Sequence, residues 1–190
     1  IETIGLVDND IINLSNIHRQ SLFTSKDIKK SKVTVAAKKL REINPSTKIK
    51  TYKSRLNKNN IKNIIKDYEI IIDGSDNFKT KFLINDICVK LKKKLVTGAI
   101  SKFDGHVFTF DFNDKKTASL KSFYQENEIS DNDLNCEFEG VLGTTASIVG
   151  TTQANEALKM IMKIGQTLKN QILIIDLLNL NFRKVKFNRK

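Results

Sequence analysis

Short apolar runs broken by polar turns recur along the chain, and their spacing alternates between strand and helix periods. IGLV at residues 4–7 predicts a buried strand, followed by the polar stretch VDNDIINLSNIHRQ. Residues 15–23 are expected to be irregular or helical. In KVTVAAKKLREI, residues 32–43, apolar positions recur at helical spacing, and Asn44 with Pro45 stops the run. KIKTY, residues 48–52, alternates as a strand, and residues 59–67 predict a helix capped by Asn59 or Asn60. EIIIDGSDN gives a continuous apolar strand at 70–72, ending in Asp73, Gly74, Ser75 and Asp76, and a helix is expected over 79–90. LVTGAI predicts a strand at 95–100, and HVFTFDF alternates over 106–112 as an antiparallel one. Residues 113–135 are polar and irregular, long enough for a mobile loop over a site. The stretch 140–162 begins rich in small residues and turns strongly helical, which suits close packing in the core or between subunits. Strands are expected again at 172–177 and 182–187. Strands alternating with helices predict an α/β fold, a right-handed sheet with helices on both faces. The later strands break the rhythm, so the sheet is expected to be mixed. With no repeat and no flexible linker, residues 1–190 read as one domain.

Composition narrows the classes. A chain of 190 residues suits one domain with a sizeable core, and 39% hydrophobic content with one proline argues against disorder. No apolar run is long enough to span a membrane. The start, IETIGLVDND, is neither a charged signal peptide nor an Arg-rich transit peptide, and it opens almost inside a strand, as a fragment would. Net charge is +12, from 33 Lys and Arg against 21 Asp and Glu. The lysines are spread through many segments with few aromatics between them, which favours a solvated basic surface over a nucleic-acid groove. Two distant cysteines, Cys88 and Cys136, suggest a reducing compartment without a disulfide framework. Bacterial cytoplasm and plastid stroma both fit, and the abundance of Lys, Asn and Ile resembles that of AT-rich genomes.

Two strand ends present carboxylates, Asp8 with Asp10 and Asp73 with Asp76. In an open α/β sheet, strand ends on the same edge are expected to converge on one crevice. A carboxylate there can hold ribose hydroxyls. A second suits a hydrated magnesium ion, which binds few protein carboxylates alongside substrate phosphates. Arg19, through its planar fork of donors, and Lys32 are the expected neutralisers of phosphate charge. Asn16 and Gln20 either orient phosphate and loop or lie on a helix surface. The plain alternative makes residues 7–20 a turn and a polar capped helix, with Asp73 ending a strand and Asp76 capping the next helix. Neither His18 nor His106 forms a nucleophile–base pair.

VDNDIINLSNIHRQ, Lys32 within KKSKVTVAAKKLREINP, IIDGSDNFKTKFLINDIC and GVLGTTASIVGTTQANEALKMIMKIG together resemble the family of ThiF, MoeB and HesA, relatives of ubiquitin-activating enzymes. The resemblance runs the length of the chain and leans towards the molybdopterin-synthase adenylyltransferases. It implies a Rossmann-like homodimer that uses ATP and Mg²⁺ to adenylate the C-terminal glycine of a ubiquitin-like sulfur-carrier protein. By that resemblance Asp8 matches the ribose-binding aspartate, and Asn16, Arg19 and Gln20 the polar residues around the triphosphate. Lys32 matches the phosphate-binding lysine, Asp76 the magnesium aspartate, and Cys136 a cysteine that some members use in sulfur transfer.

Three departures stand out. The family's first strand with its glycine-rich loop, and an arginine lent across the dimer, lie upstream of the segment that opens this chain. The paired zinc cysteines are absent, with SLKS at residues 119–122 where a C-x-x-C is expected, so zinc is not expected. Lys81 stands where an arginine is frequent. Alternatives remain: a thiamine-pathway carrier adenylyltransferase, a nicotinamide-dependent oxidoreductase (for which no G-x-G-x-x-G follows a strand), or a non-catalytic module that binds a carrier or nucleic acid.

Overall fold

The computed structural model describes residues 1–124 and 140–187. The chain divides into two compact units, Ile1–Asn57 and Lys58–Lys190.

In the first unit, β1 (Thr3–Val7) and β2 (Lys48–Tyr52) pair in parallel, from Thr3 opposite Lys48 to Val7 opposite Tyr52. They are joined through α1 (Leu14–Ile17), a short 3-10 turn at Ser25–Asp27 and α2 (Lys32–Ile43). The bounds of α2 and β2 match the sequence reading, because an uninterrupted apolar stripe and the Asn44-Pro45 stop leave one solution. Val33, Val35, Ala36 and Ala37 are the buried face of α2. Ile12 and Phe23, buried against Val35, Ala36 and Leu6, pin the long β1–α2 connection to the unit. Burying side chains of this size contributes roughly 1.5–3 kcal/mol each.

The second unit holds a five-stranded sheet in the order β3-β4-β5-β6-β7: Ile70–Asp73, Lys94–Ser101, Asp104–Asp111, Gln171–Asp176 and Asn181–Lys186. β3 runs parallel to β4, and every later pair is antiparallel, which gives the mixed sheet expected from the broken rhythm. α3 (Ile61–Ile65) is shorter than read, and Asn60 takes its N-cap position without a capping side-chain bond. α4 (Phe78–Lys90) and α5 (Gly143–Met162) cover opposite faces of the sheet. Thr97 on β4 reaches the Asp73–Lys81 pair on the α4 side, whereas Val96, one residue earlier, packs with Val149, Ala157 and Met160 of α5. Side chains one residue apart on a strand point to opposite faces, so helices flank both sides.

Small residues bring α5 close to the sheet from both partners, Ala157 on the helix and Gly98 and Gly105 on the strands. A Cβ at Gly98 would lie 2.8 Å from the Gln153 side chain, and one at Gly105 would lie 2.4 Å from Val149. Gly150, on the helix, faces open space. Cys88 is fully buried and free, and burial pushes its thiol up to about 12, so it packs as an apolar side chain. Of the expected loop at 113–135, the described part is packed. Thr117, Ala118 and Leu120 are buried, and Leu120–Ser122 forms a 3-10 turn. The remainder lies outside the described residues. One edge of β1 and one of β3 have no hydrogen-bonded strand among the described residues.

Candidate functional site

In the first unit the candidate residues all lie on the connection that leaves the C-terminal end of β1. Asp8 N–H donates to Tyr52 C=O at 3.2 Å, extending the sheet, while Asp8 Oδ1 accepts the Asp10 N–H at 2.8 Å. Asp8 Oδ2 bonds no described residue. Asp10 then ties the strand end to α2 twice. Its carbonyl accepts the Lys32 N–H at 3.0 Å, and its Oδ2 pairs with Lys32 Nζ at 2.9 Å. Lys32 is thus held at the first turn of α2 with a side chain 12% exposed, beside an Asp10 side chain that is 57% exposed. Sequence reasoning placed both residues but missed the pairing, because 22 positions separate them.

Asn16, Arg19 and Gln20 form the second cluster. The sequence allowed a helix through all of them; α1 ends at Ile17 and a tight turn follows. Asn16 Oδ1 accepts the Asn13 N–H at 3.2 Å, and Asn16 C=O accepts both Arg19 N–H at 3.1 Å and Gln20 N–H at 3.0 Å. Asn16 therefore organises the turn. Arg19 Nη1 donates to Ser15 C=O at 2.7 Å, which fixes one arm of the guanidinium and leaves its other N–H groups without a described partner. Gln20 Oε1 is the one buried side-chain polar atom without a partner among the described residues. One connection thus carries two carboxylates, a lysine, an arginine and two amides. Such a donor set suits a polyanion with a sugar diol.

In the second unit the Asp73–Asp76 pair separates into two roles. Asp73 is 2% exposed, and its carboxylate is saturated. Oδ1 accepts Ser75 N–H at 2.8 Å and Ser75 Oγ at 2.6 Å, while Oδ2 accepts Thr97 Oγ1 at 2.6 Å and Lys81 Nζ at 3.2 Å. Lys81, 4% exposed, also donates to Gly98 C=O. Asp73 is therefore a core residue, not a ligand-facing carboxylate, and Lys81 is its buried counter-ion. Asp76 is exposed and does not cap α4. Asn77 does, its Oδ1 accepting Thr80 N–H at 2.9 Å while its Nδ2 donates to Asp76 Oδ1 at 3.0 Å. Asn77, which sequence reasoning did not single out, both starts the helix and orients Asp76. The D-x-x-DN spacing was the available signal. Cys136 lies outside the described residues. The pocket between α4 and residues 112–122, with Asn85, Asp86, Val89, Phe112 and Lys121 in its wall, is lined by none of the candidate residues.

Comparison with known proteins bears on the family and the fold. A probable molybdopterin-synthase adenylyltransferase from Porphyra purpurea is 41% identical over 98% of this chain and 48% of its own length. The sulfur carrier protein adenylyltransferase of Thermus thermophilus is 35% identical over 98% of this chain and 70% of its own length. The chain spans about half the length of the red-algal relatives, 48% and 47% for the first two. Among solved structures, E. coli MccB bound to MccA-N7isoASN covers all of this chain with a TM-score of 0.85 at 18% identity, 58% of that chain being matched. MccB with ATP gives 0.82 at 20% identity, with 57% of its chain matched. At those identities the likeness shows the fold, a Rossmann-type α/β architecture. The ThiF family profile matches residues 1–190 from end to end, and with the Thermus relative this shows that the chain belongs to the ThiF family.

Proposed function

We propose that the chain carries out ATP-dependent adenylylation of the C-terminal glycine of a ubiquitin-like sulfur-carrier protein, the small subunit of molybdopterin synthase, for molybdenum cofactor biosynthesis. The observation that carries the proposal is the β1–α2 connection, where Asp10 bonds to both Asp8 and Lys32, and Asn16, Arg19 and Gln20 share one turn. The names of the relatives, molybdopterin-synthase adenylyltransferase and sulfur carrier protein adenylyltransferase, support it.

In the reaction a carboxylate oxygen of the carrier attacks the α-phosphorus, a P–O bond to the β-phosphate breaks, and pyrophosphate leaves with that electron pair. Two anions must approach, so the protein's task is orientation and charge neutralisation. Asp8 would hold the ribose, Arg19 and Lys32 the phosphates, and Asn16 and Gln20 the turn and its polar contacts. No protein nucleophile is needed. Asp76, exposed and steadied by Asn77, is the residue that would hold a hydrated magnesium ion, which needs few protein carboxylates beside substrate phosphates. Such an ion supplies charge neutralisation of the transferred phosphoryl group.

The finer assignments belong to the same proposal. A homodimer is supported by the outward row of α5, where Ile148, Leu158, Ile161 and Met162 are between 36% and 53% exposed. No helix among the described residues is long and apolar enough to cross a membrane, and the red-algal relatives support a plastid location. Residues 1–190 would act as a single adenylyltransferase domain, with Cys136 available for sulfur transfer.

The test is carrier-dependent ATP–pyrophosphate exchange. Asp76→Ala is expected to lower exchange by at least ~100-fold with an unchanged thermal melt. Exchange at the unsubstituted rate would remove Asp76 from the magnesium role, and no exchange by the unsubstituted full-length protein with any sulfur carrier would remove the reaction.

A further inference from the structure

The resemblance places the first cysteine pair of a structural zinc site at residues 119 and 122, and the residues present do not fit that metal. Structural zinc is held by thiolates and imidazoles. Here two neutral hydroxyls flank an ammonium. Ser122 Oγ accepts the Ser119 N–H at 3.3 Å, and Lys121 Nζ pairs with Asp86 Oδ2 at 2.8 Å. Among the described residues no group of three or more His, Cys, Asp and Glu is placed to hold a metal ion.

The segment is nonetheless packed. Ala118 is fully buried, Leu120 is 1% exposed and Thr117 6%. Backbone groups buried to that extent need partners, since a lost hydrogen bond is not replaced by water. Two asparagines from elsewhere in the second unit supply them. Asn85 of α4, itself 1% exposed, accepts the Leu120 N–H on Oδ1 at 3.1 Å. Asn170, in the turn before β6, accepts the Ala118 N–H on Oδ1 at 3.0 Å. Asn170 has φ +54°, a left-handed conformation that asparagine tolerates better than most side chains. Thr117 Oγ1 closes the near end on Asp111 C=O at 2.7 Å, and Lys169 pairs with Asp114 at 2.5 Å. Beyond the 3-10 turn, Phe123 and Tyr124 pack edge-on against Phe108.

We propose that Asn85 and Asn170 form a hydrogen-bonded brace that does the anchoring that zinc ligands do in metal-containing members of the family, so that the order of residues 114–124 is independent of metal. The brace reaches the segment from both sides, from α4 and from the β6 turn, through single side-chain oxygens that accept two alternate amides, those of Ala118 and Leu120.

Hydrogen exchange read peptide by peptide on the full chain, with thermal melts and zinc analysis, tests this. Purified protein is expected to hold no stoichiometric zinc, and 1,10-phenanthroline should leave both the melt and the exchange of residues 114–122 unchanged. Asn170→Gly keeps the left-handed turn and removes the acceptor. It should raise exchange across that segment by ~10-fold or more while the β4–β5 hairpin stays protected. Asn85→Leu should do the same from the other side and lower the melting temperature by ~3 °C or more. A chelator-induced fall in melting temperature, one bound zinc per chain, or unchanged exchange in Asn170→Gly would each overturn the brace.

Discussion

In the proposed site, Gln20 sets stability against binding at one atom. Its buried Oε1 has no partner among the described residues, and leaving such an acceptor unmet costs about 1–3 kcal/mol. Gln20→Met keeps the length and removes the orphan. It is expected to raise stability by ~1 kcal/mol in urea unfolding while lowering nucleotide affinity in equilibrium titration; a less stable variant would mean that the oxygen is satisfied in solution. Lys81 behaves in the opposite way. Its ammonium is the counter-ion of Asp73 inside the protein, the two side chains being 4% and 1% exposed. Lys81→Met should therefore cost roughly 3–5 kcal/mol by leaving a carboxylate buried without its cation, again read by urea unfolding. Asp10 and Lys32 form a half-open pair in which the carboxylate is largely solvated, so Asp10→Asn should change stability by less than ~1 kcal/mol.

Among the elements, α4 depends on its N-cap, Asn77. Asn77→Ala removes the bond to Thr80 N–H and is expected to cost ~1 kcal/mol by thermal melt, and also to weaken magnesium-dependent exchange because Asp76 loses its neighbour's support. The elements also show what was legible in the sequence. α2, β2 and the apolar strand ending at Asp73 were readable because their signals are local: a stripe, an alternation, a run. The brevity of α1 was not, since the turn after Ile17 is set by Asn16 C=O accepting two amides at once. The inward carboxylate of Asp73 escaped for a different reason. Its partners Lys81 and Thr97 lie 8 and 24 positions away, on other elements, and only the sheet register brings them together. The candidate residues of the first unit were named from motif spacing, yet Asp10 as the partner of Lys32 and Asn77 as the support of Asp76 appear only in three dimensions.

Across the whole molecule, two acid transitions are expected at separate pH ranges. His106 Nδ1 lies 2.8 Å from the Tyr124 hydroxyl among aromatic rings, and burial pushes its pKa below 6.5 against a smaller opposing pull from Asp104. The unfolded chain therefore takes up this proton first. The contribution of the neutral imidazole is complete above pH 6.5 and is lost as pH falls from there through the folded-state value. Melts from pH 8 to 5 should show this decline, and His106→Gln should flatten it. Asp27, lowered from 3.8 to about 2 chiefly by its bonds from Thr24, acts later: its contribution holds above about pH 4 and disappears towards pH 2. Among the described residues, one flank of β1 and one of β3 carry no hydrogen-bonded strand. Amides and carbonyls along such a flank are adhesive to an extended chain, so a short strand-forming peptide added in excess is expected to slow amide exchange along these two strands, read peptide by peptide.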